Sequence, residues 1–540
     1  MDTAVSQQAR HKAAGIVSLA VIGSRVLGLV RELVFAAMFG AGKHLDAFLA
    51  AFQIPNLLRD LFAEGALSTA FTTTFTKTLA REGDAPAWRL ANLLISAMIM
   101  LMGAVCLVGI ALSPLLVQIT NFGFHTIPGK FELTVNLTRI LFPFILLVSL
   151  AAIVMGMLNA RFVFGLPASA STVFNFVSVI AGVALALCFD PQSDWRHPHF
   201  TERALYGVSL GVLLGGVCQL GMQLPSLWSY GFRWKWIFDL ADPRLKEVWM
   251  LAWPSIVAGS AVQVNVLING MFASEIDGAR SWLNCAFRLM QFPIGVFGVA
   301  IATVTLPSVA RQHASSDMTA AGKTIEESLR LAFFLTLPAT IGLIVLAPEI
   351  IALIYQHGAF SADAVIMTAA ALRAYAIGLS GYAAIKVLTP CFSAFNRPRT
   401  PLHVGLIGIV LNLGMNLLLV KMLHLGHVGL ATTTGIIALL NFLQLTWHLR
   451  RIVTLGTAGR WYRYLLTVLA CASGCGLIAA LVMREIPDNT ASLCWQAMRV
   501  GAAVMAGSIT YFLLCYALRV DEVQNVTSAV LSRIRYSMMK

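Results

Sequence analysis

Charge is what this chain has least of. Only 12% of its 540 residues are Asp, Glu, Lys or Arg, about half the share of an average soluble domain. No long polar stretch separates its apolar runs, so a sizeable extramembrane domain is not expected. The nine cysteines are scattered, most of them inside apolar runs (Cys106, Cys188, Cys218, Cys391, Cys471, Cys475). They form no CxxC pair and no His/Cys cluster at metal spacing, which suits small buried hydrophobes; no metal and no cofactor is expected. Also missing are GxxxxGK[ST], HExxH, GxSxG and a paired-carboxylate motif on a large loop, so ATP hydrolysis and covalent chemistry are not expected. The polar N-terminus, MDTAVSQQARHK, is followed by nothing that reads as a cleavage site before a soluble domain.

What the chain does have is apolar length. It is 58% hydrophobic with a mean hydropathy of +0.78. Runs of about twenty apolar residues recur from end to end, each long enough to cross a bilayer as a helix. The expected fold is an all-α polytopic membrane protein with about fourteen transmembrane helices. The spans fall near 13–39, 46–76, 88–113, 133–158, 167–189, 203–228, 246–273, 282–309, 325–347, 363–392, 400–422, 428–449, 461–483 and 494–518.

Acidic residues are the scarcer sign, 25 against 38 basic ones, for a net charge of +13. In a membrane chain this excess collects in cytoplasmic loops, and nucleic acid is not inferred as a partner. Loops after even-numbered spans hold Lys77, Arg81, Arg89, Arg161, Arg233, Lys235, Arg244 and many more. The opposite set holds only Lys43, Lys130, Arg196, Arg280 and Arg484. Both termini are basic as well (Arg10, Lys12; Arg533, Arg535, Lys540). The even loops and both termini are therefore read as cytoplasmic.

A weak internal repeat sets the domain plan. Ile22–Gly42 lies over Ala258–Gly278, Leu158–Pro167 over Phe392–Pro401, and Ala204–Leu224 over Gly426–Thr446. Three matches in order imply two six-helix bundles, residues 1–240 and 241–455, related by a pseudo-two-fold axis along the membrane normal. Residues 456–540 lie outside the repeat as two additional helices and a cytoplasmic tail. Their small, uncharged residues suit lipid-facing packing or a groove for a lipid tail.

The few charges inside apolar runs carry the functional signal. Ser24–Phe71 holds Arg25, Arg31, Glu32, Asp46, Arg59, Asp60 and Glu64. A charge at the centre of a lipid-facing helix costs roughly 2.5–3.5 kcal/mol, so these must meet water, a partner or a ligand. Arg25 and Glu32 share a helix face, with Gly28 between them. Gly28, Pro55 and Pro293 are the expected hinge or kink positions. Arg25 and Arg31 suit an anion; the alternative is an intramembrane ion pair with Asp46 or Glu64. The alternative for Asp46 is a simple helix N-cap. Arg288 stands without an acidic neighbour in its span and suits an anionic ligand, or else snorkels to the interface. Arg139, Arg373 and Lys386 are weaker choices, and Asn412, Asn416 and Asn441 suit interhelical hydrogen bonds.

These strings carry a resemblance. SRVLGLVRE, DAF-x5-IPNLLR-x3-AEGA-x3-AF and RLMQFPIGVFGVA resemble the MurJ/MviN family of lipid II flippases, within the multidrug/oligosaccharidyl-lipid/polysaccharide exporter superfamily. The resemblance covers essentially the whole chain. It implies transport, not enzymology, of an undecaprenyl-diphosphate-linked disaccharide-pentapeptide, lipid II. That lipid would move from the cytoplasmic to the outer leaflet of the bacterial inner membrane by alternating access. Membrane lipids and other cell-wall assembly proteins are the implied partners. Carried over by motif, the residues of an arginine-lined central cavity are Arg25, Arg31, Asp46, Arg59, Glu64 and Arg288, and the last two helices form the lipid-tail groove. The chain departs from the family around Arg288, where Phe287 and Gln291 replace acidic residues. Its seventh span offers Gln263, Asn265 and Asn269 but no carboxylate, so no sodium site is expected. The rival readings are an O-antigen or polysaccharide-lipid flippase, a drug antiporter, a membrane glycosyltransferase and a cell-wall assembly scaffold. A cation carrier would show a carboxylate-rich cavity, and a glycosyltransferase would show carboxylates on a large outer loop.

Overall fold

The computed structural model describes residues 2–62, 66–193, 200–239, 241–487 and 492–524. Among the described residues there are helices, turns and no strands. In chain order the first helices are α1 Asp2–Phe39, α2 Lys43–Phe62, α3 Ala66–Glu82, α4 Asp84–Ala111, α5 Ser113–Thr120, α6 Lys130–Leu141, α7 Phe144–Ala160, α8 Gly165–Phe189, α9 Glu202–Gly221, α10 Leu224–Ser229 and α11 Pro243–Ala273. They are followed by α12 Ala279–Pro293, α13 Val299–Ala314, α14 Met318–Val345, α15 Ala347–Tyr355, α16 Ala362–Ala376, α17 Leu379–Ala394, α18 Arg399–Asn416, α19 Gly426–Leu449, α20 Ala458–Glu485 and α21 Leu493–Ala517. Prolines punctuate this series. Pro114, Pro225 and Pro348 sit in the first turns of the short helices α5, α10 and α15, where a missing N–H costs nothing. Pro293 is followed by a π-helical turn, Ile294–Gly298, which re-spaces the backbone after the lost donor.

Ten helical stretches among the described residues are long and apolar enough to cross a membrane, or eleven if α16 and α17, bent by 47°, form one span. The chain is thus a multi-pass, all-helical membrane protein, but the expected fourteen are not all counted. The stretches expected at 13–39, 46–76 and 246–273 are helical as α1, α2 with α3, and α11, yet stand outside the apolar set. For α2 the physical reason is its polar content, Lys43, His44, Asp46, Arg59 and Asp60 in twenty residues.

The chain divides into two compact units: Met1–Ser281 with His357–Ser361, and Trp282–Gln356 with Ala362–Lys540. In the first, α3, α4 and α7 bury Phe71, Phe75, Leu90, Leu94, Met157 and Leu158. The helix α11 packs on α2, α3 and α5 and so belongs to this unit. Gly211 lets α9 meet α8: a Cβ there would lie 2.3 Å from the Gly182 backbone. The short loop 357–361 joins this unit because Ala359 N–H donates to Ala37 O at 2.8 Å.

In the second unit, α13, α14, α17 and α19 bury Val309, Ile325, Leu329, Val387, Phe392 and Leu445. The last two long helices pack on α14 around Val468, Cys471, Tyr511 and Cys515. Tyr511 donates to Phe334 O at 2.7 Å and Tyr464 to Arg330 O at 2.8 Å. Arg330 then bridges Asp521 at 2.7 Å and Glu522 at 2.9 Å, just past the end of α21. These tyrosines and the arginine fix α20 and α21 to α14 and to the chain just past α21.

Candidate functional site

The first unit carries most of the candidate residues. On α1, Arg25 is exposed, while Arg31 and Glu32 are half-buried. The Arg31 guanidinium lies 5.9 Å from the Phe52 ring centroid and 5.3 Å from that of Phe174. Phe144 stacks between those two phenylalanines, at 5.3 Å from each. One ring thus comes from α2 and one from α8, and together they hold a delocalised cation by its faces. The helix α1 runs unbroken through Gly28. A Cβ at Gly28 would lie 3.6 Å from the Asn175 amide, an ordinary contact. Asn175 also donates to Ser24 O at 3.1 Å, so this stretch of α1 is tied to α8.

On α2, Pro55 lies inside a continuous helix and Arg59 is half-buried near its end. Glu64 and the side chain of Asp60 lie outside the described residues. In the second unit, Arg288 is exposed on α12, with Pro293 and the π-turn one turn further on. Phe287 stands where the resemblance puts a carboxylate. Its ring packs 5.3 Å from Tyr375 and 6.5 Å from Tyr382, so an aromatic cluster takes the place of the acid beside Arg288.

Asp46 is in a different environment. It is fully buried, and so is Lys130, whose ammonium lies 2.8 Å from its carboxylate. The same carboxylate accepts from Gly278 N–H at 2.8 Å, Ser281 N–H at 2.8 Å and the Ser281 hydroxyl at 2.6 Å. It is not the N-cap of its own helix, which starts at Lys43; its carboxylate instead receives N–H groups at the start of α12, more than 230 positions along the chain. Gly278 has φ +82°, a conformation that suits glycine and that turns its N–H toward the carboxylate. Lys130 bridges Asp277 as well, at 2.8 Å, and lies 4.4 Å over the Phe124 ring. Arg280 approaches the same ring at 5.8 Å and donates to Gln53 Oε1 at 2.5 Å and Thr120 O at 3.3 Å. Two cations and two carboxylates balance around one phenylalanine.

Sequence reasoning missed Lys130, Asp277, Arg280 and Ser281. Their only signal was position: Lys130 and Arg280 belong to the charge-poor set of loops, where a basic residue is unexpected. Beside this cluster, His44 has a pKa below the usual 6.5, pushed down by burial and by Lys43, against the pull of Glu202 and Asp277. Among the described residues no group of three His, Cys, Asp or Glu could hold a metal ion.

A family model described as lipid II flippase MurJ matches residues 35–490. The lipid II flippase MurJ of Burkholderia cenocepacia is 33% identical over 91% of this chain and 93% of its own. A probable lipid II flippase MurJ of Rhizobium meliloti is 31% identical, covering 96% and 95%. Among solved structures, a lipid II flippase MurJ in an inward closed conformation superposes with a TM-score of 0.77 at 22% identity, over 93% of this chain and 99% of that one. An inward-facing multidrug resistance transporter of the MATE family has a TM-score of 0.67 at 14% identity, over 79% and 94%. At such identities these two structures bear on the fold alone.

Proposed function

This chain belongs to the lipid II flippase MurJ family, and from that membership we propose that it carries lipid II from the cytoplasmic to the outer leaflet of the inner membrane. It does so by alternating access of two bundles, residues 1–240 and 241–455, with both termini in the cytoplasm. The ligand is a lipid whose diphosphate carries about two negative charges, and a low-dielectric cavity must supply cations for it. Arginine meets that need better than lysine, since its planar fork binds phosphate oxygens in pairs. Arg25, Arg31, Arg59 and Arg288 are the proposed binding set, with Glu64 as a resetting partner. Gly28, Pro55 and Pro293 are the proposed points of bending, and α20 with α21 the groove for the polyprenyl tail. Asp46 contributes by holding the first turn of α12, the helix that bears Arg288.

The observation that carries this reading is Arg31, a half-buried cation inside an apolar helix, held by its faces between Phe52 and Phe174. The in-plane N–H donors of a guanidinium are the groups that phosphate binding uses. A cationic site also couples to the membrane potential, by about 2.3 kcal/mol per charge per 100 mV. The MATE-like fold alone would equally suit a drug antiporter, but an arginine-bearing face disfavours cationic cargo.

The test is complementation in cells depleted of their own flippase, read with a leaflet-accessibility assay for lipid II. Wild-type protein restores outward movement. Arg25→Ala, Arg31→Ala and Arg288→Ala fail at normal expression. Full rescue by all three sinks the binding set, and no outward movement with the wild type sinks the function.

A further inference from the structure

One surface of the first unit has no part in the proposed transport path. Between α10 and α11 the chain runs extended over residues 231–239, alongside α4. It is pinned there on one edge. Asn92 donates to Arg233 O at 3.2 Å and accepts from Lys235 N–H at 2.8 Å, and Ser96 Oγ accepts from Ile237 N–H at 3.3 Å. Phe232 is buried, with its ring 5.5 Å from Trp88. Beyond Phe232 the strip leaves the core, and Trp234, Trp236 and Phe238 are 53%, 54% and 51% exposed.

Holding three large aromatics out of the core on a fixed strip is costly unless something covers them. The charges say what. Carboxylates at this end are matched: Asp239 by Arg89 at 3.3 Å, Glu247 by Lys77 at 2.8 Å and Glu82 by Arg244 at 2.6 Å. Arg233 and Lys235 are both exposed and have no carboxylate partner among the described residues. The Arg233 guanidinium is steadied by carbonyls instead, those of Trp228 at 3.0 Å and Phe232 at 2.9 Å. A recess of about 350 Å³ opens between Trp228 and Arg233. A second, of about 320 Å³, opens at the other end of the strip between Phe238, Met100, Leu101 and Trp249, and it is apolar. Arg233 and Phe238 are five positions apart along the extended chain, about 17 Å at ~3.3 Å per residue.

We infer that this strip is a binding site for an anionic glycerophospholipid of the surrounding bilayer. Arg233 and Lys235 take the phosphate and headgroup, Trp234 and Trp236 sit at the headgroup level, and the recess at Phe238 takes an acyl chain. Cations interleaved with tryptophans (Arg233 to Trp236) at one end and apolar Ile237 and Phe238 at the other suit a phospholipid's headgroup and the start of its tail. The occupant differs from the transported lipid in lying outside the arginine face of α1. Its effect is to fix the depth at which α4 and the start of α11 sit in the membrane.

The test uses full-length protein released from mixed micelles and read by native mass spectrometry for retained phosphatidylglycerol against phosphatidylcholine. Wild type should retain the anionic lipid preferentially. R233Q together with K235Q should lower that preference about tenfold or more, as two basic residues at an anionic surface require. Because Arg233 also bonds two carbonyls, K235Q alone is the cleaner arm and should lower it several-fold. K323Q, an exposed lysine elsewhere, should leave it unchanged. In nanodiscs, brominated phosphatidylglycerol should quench tryptophan emission less in W234F/W236F than in wild type. Equal retention of both lipids by the wild type, or an unchanged preference in K235Q and the double variant, overturns the assignment.

Discussion

Two groups of charges in the first unit answer the same problem in opposite ways. Asp46 and Lys130 are sealed from solvent and satisfy each other, with Ser281, Gly278 and Asp277 completing the shell. Arg25 and Arg31 sit on α1, one exposed and the other only half-buried, and Arg31 is held by rings. A sealed, balanced set holds helices in place, since every charge has spent its field on a neighbour. Arg31 instead rests on aromatic faces. Fully buried and balanced charge thus reads as architecture, and the ring-held arginine is the one proposed for recognition.

The largest expected effect falls on the sealed set. Lys130→Met leaves Asp46 as a buried, unpaired carboxylate, which costs about 3–5 kcal/mol. The protein should lose most of its folded yield, or unfold well below wild type in a detergent melt. Adding Asp46→Asn to Lys130→Met should recover part of that loss, because the two sites share one interaction. If Lys130→Met melts like wild type, the distinction collapses.

Next comes Arg31→Gln. Folding should change by less than about 1 kcal/mol, while losing one charge-assisted hydrogen bond to a phosphate should cost binding about 1.5–3 kcal/mol. Affinity for a diphosphate lipid headgroup, titrated on purified protein, is the readout. A variant that loses stability but keeps affinity would move Arg31 to the structural group.

Gly28→Ala should cost less than about 1 kcal/mol and leave transport near normal if Gly28 serves only close approach to α8, because the added methyl meets Asn175 at ordinary distance. A large loss of transport with an unchanged melt would show that α1 bends there.

The smallest effect is at His44, beside the sealed cluster. Its folded-state pKa lies below 6.5, so the unfolded chain binds the proton more readily. Stability should therefore fall as pH drops below about 6.5, and level off once the folded histidine is itself protonated. His44→Gln should remove that part of the acid slope in melts taken across pH, and an unchanged slope would assign it elsewhere.

Much of this was legible in order. Apolar runs located the helices, and the expected spans at 88–113, 167–189 and 428–449 coincide closely with α4, α8 and α19. Arg31 was legible because a charge in an apolar run announces itself by its neighbours in sequence. Lys130 was not, for it opens a helix after a loop, and its place in the charge-poor set of loops names no partner. Asp46 was legible as a capping residue, yet the helix it caps lies far along the chain, and no local pattern names that partner. The same holds for Ala37 receiving the loop at 357–361 and for the tyrosine ties of α20 and α21 to α14.

The sequence by itself determined that this is a helical membrane protein and which cations lie within its spans. Both follow from hydrophobicity and spacing, which act over one or two turns. Only the tertiary structure decided which charges cancel one another. That depends on whether side chains such as Asp46 and Lys130, 84 residues apart, are brought within 2.8 Å. Coulomb attraction at that range, inside a dry interior, turns a pair of costly charges into a fixed joint.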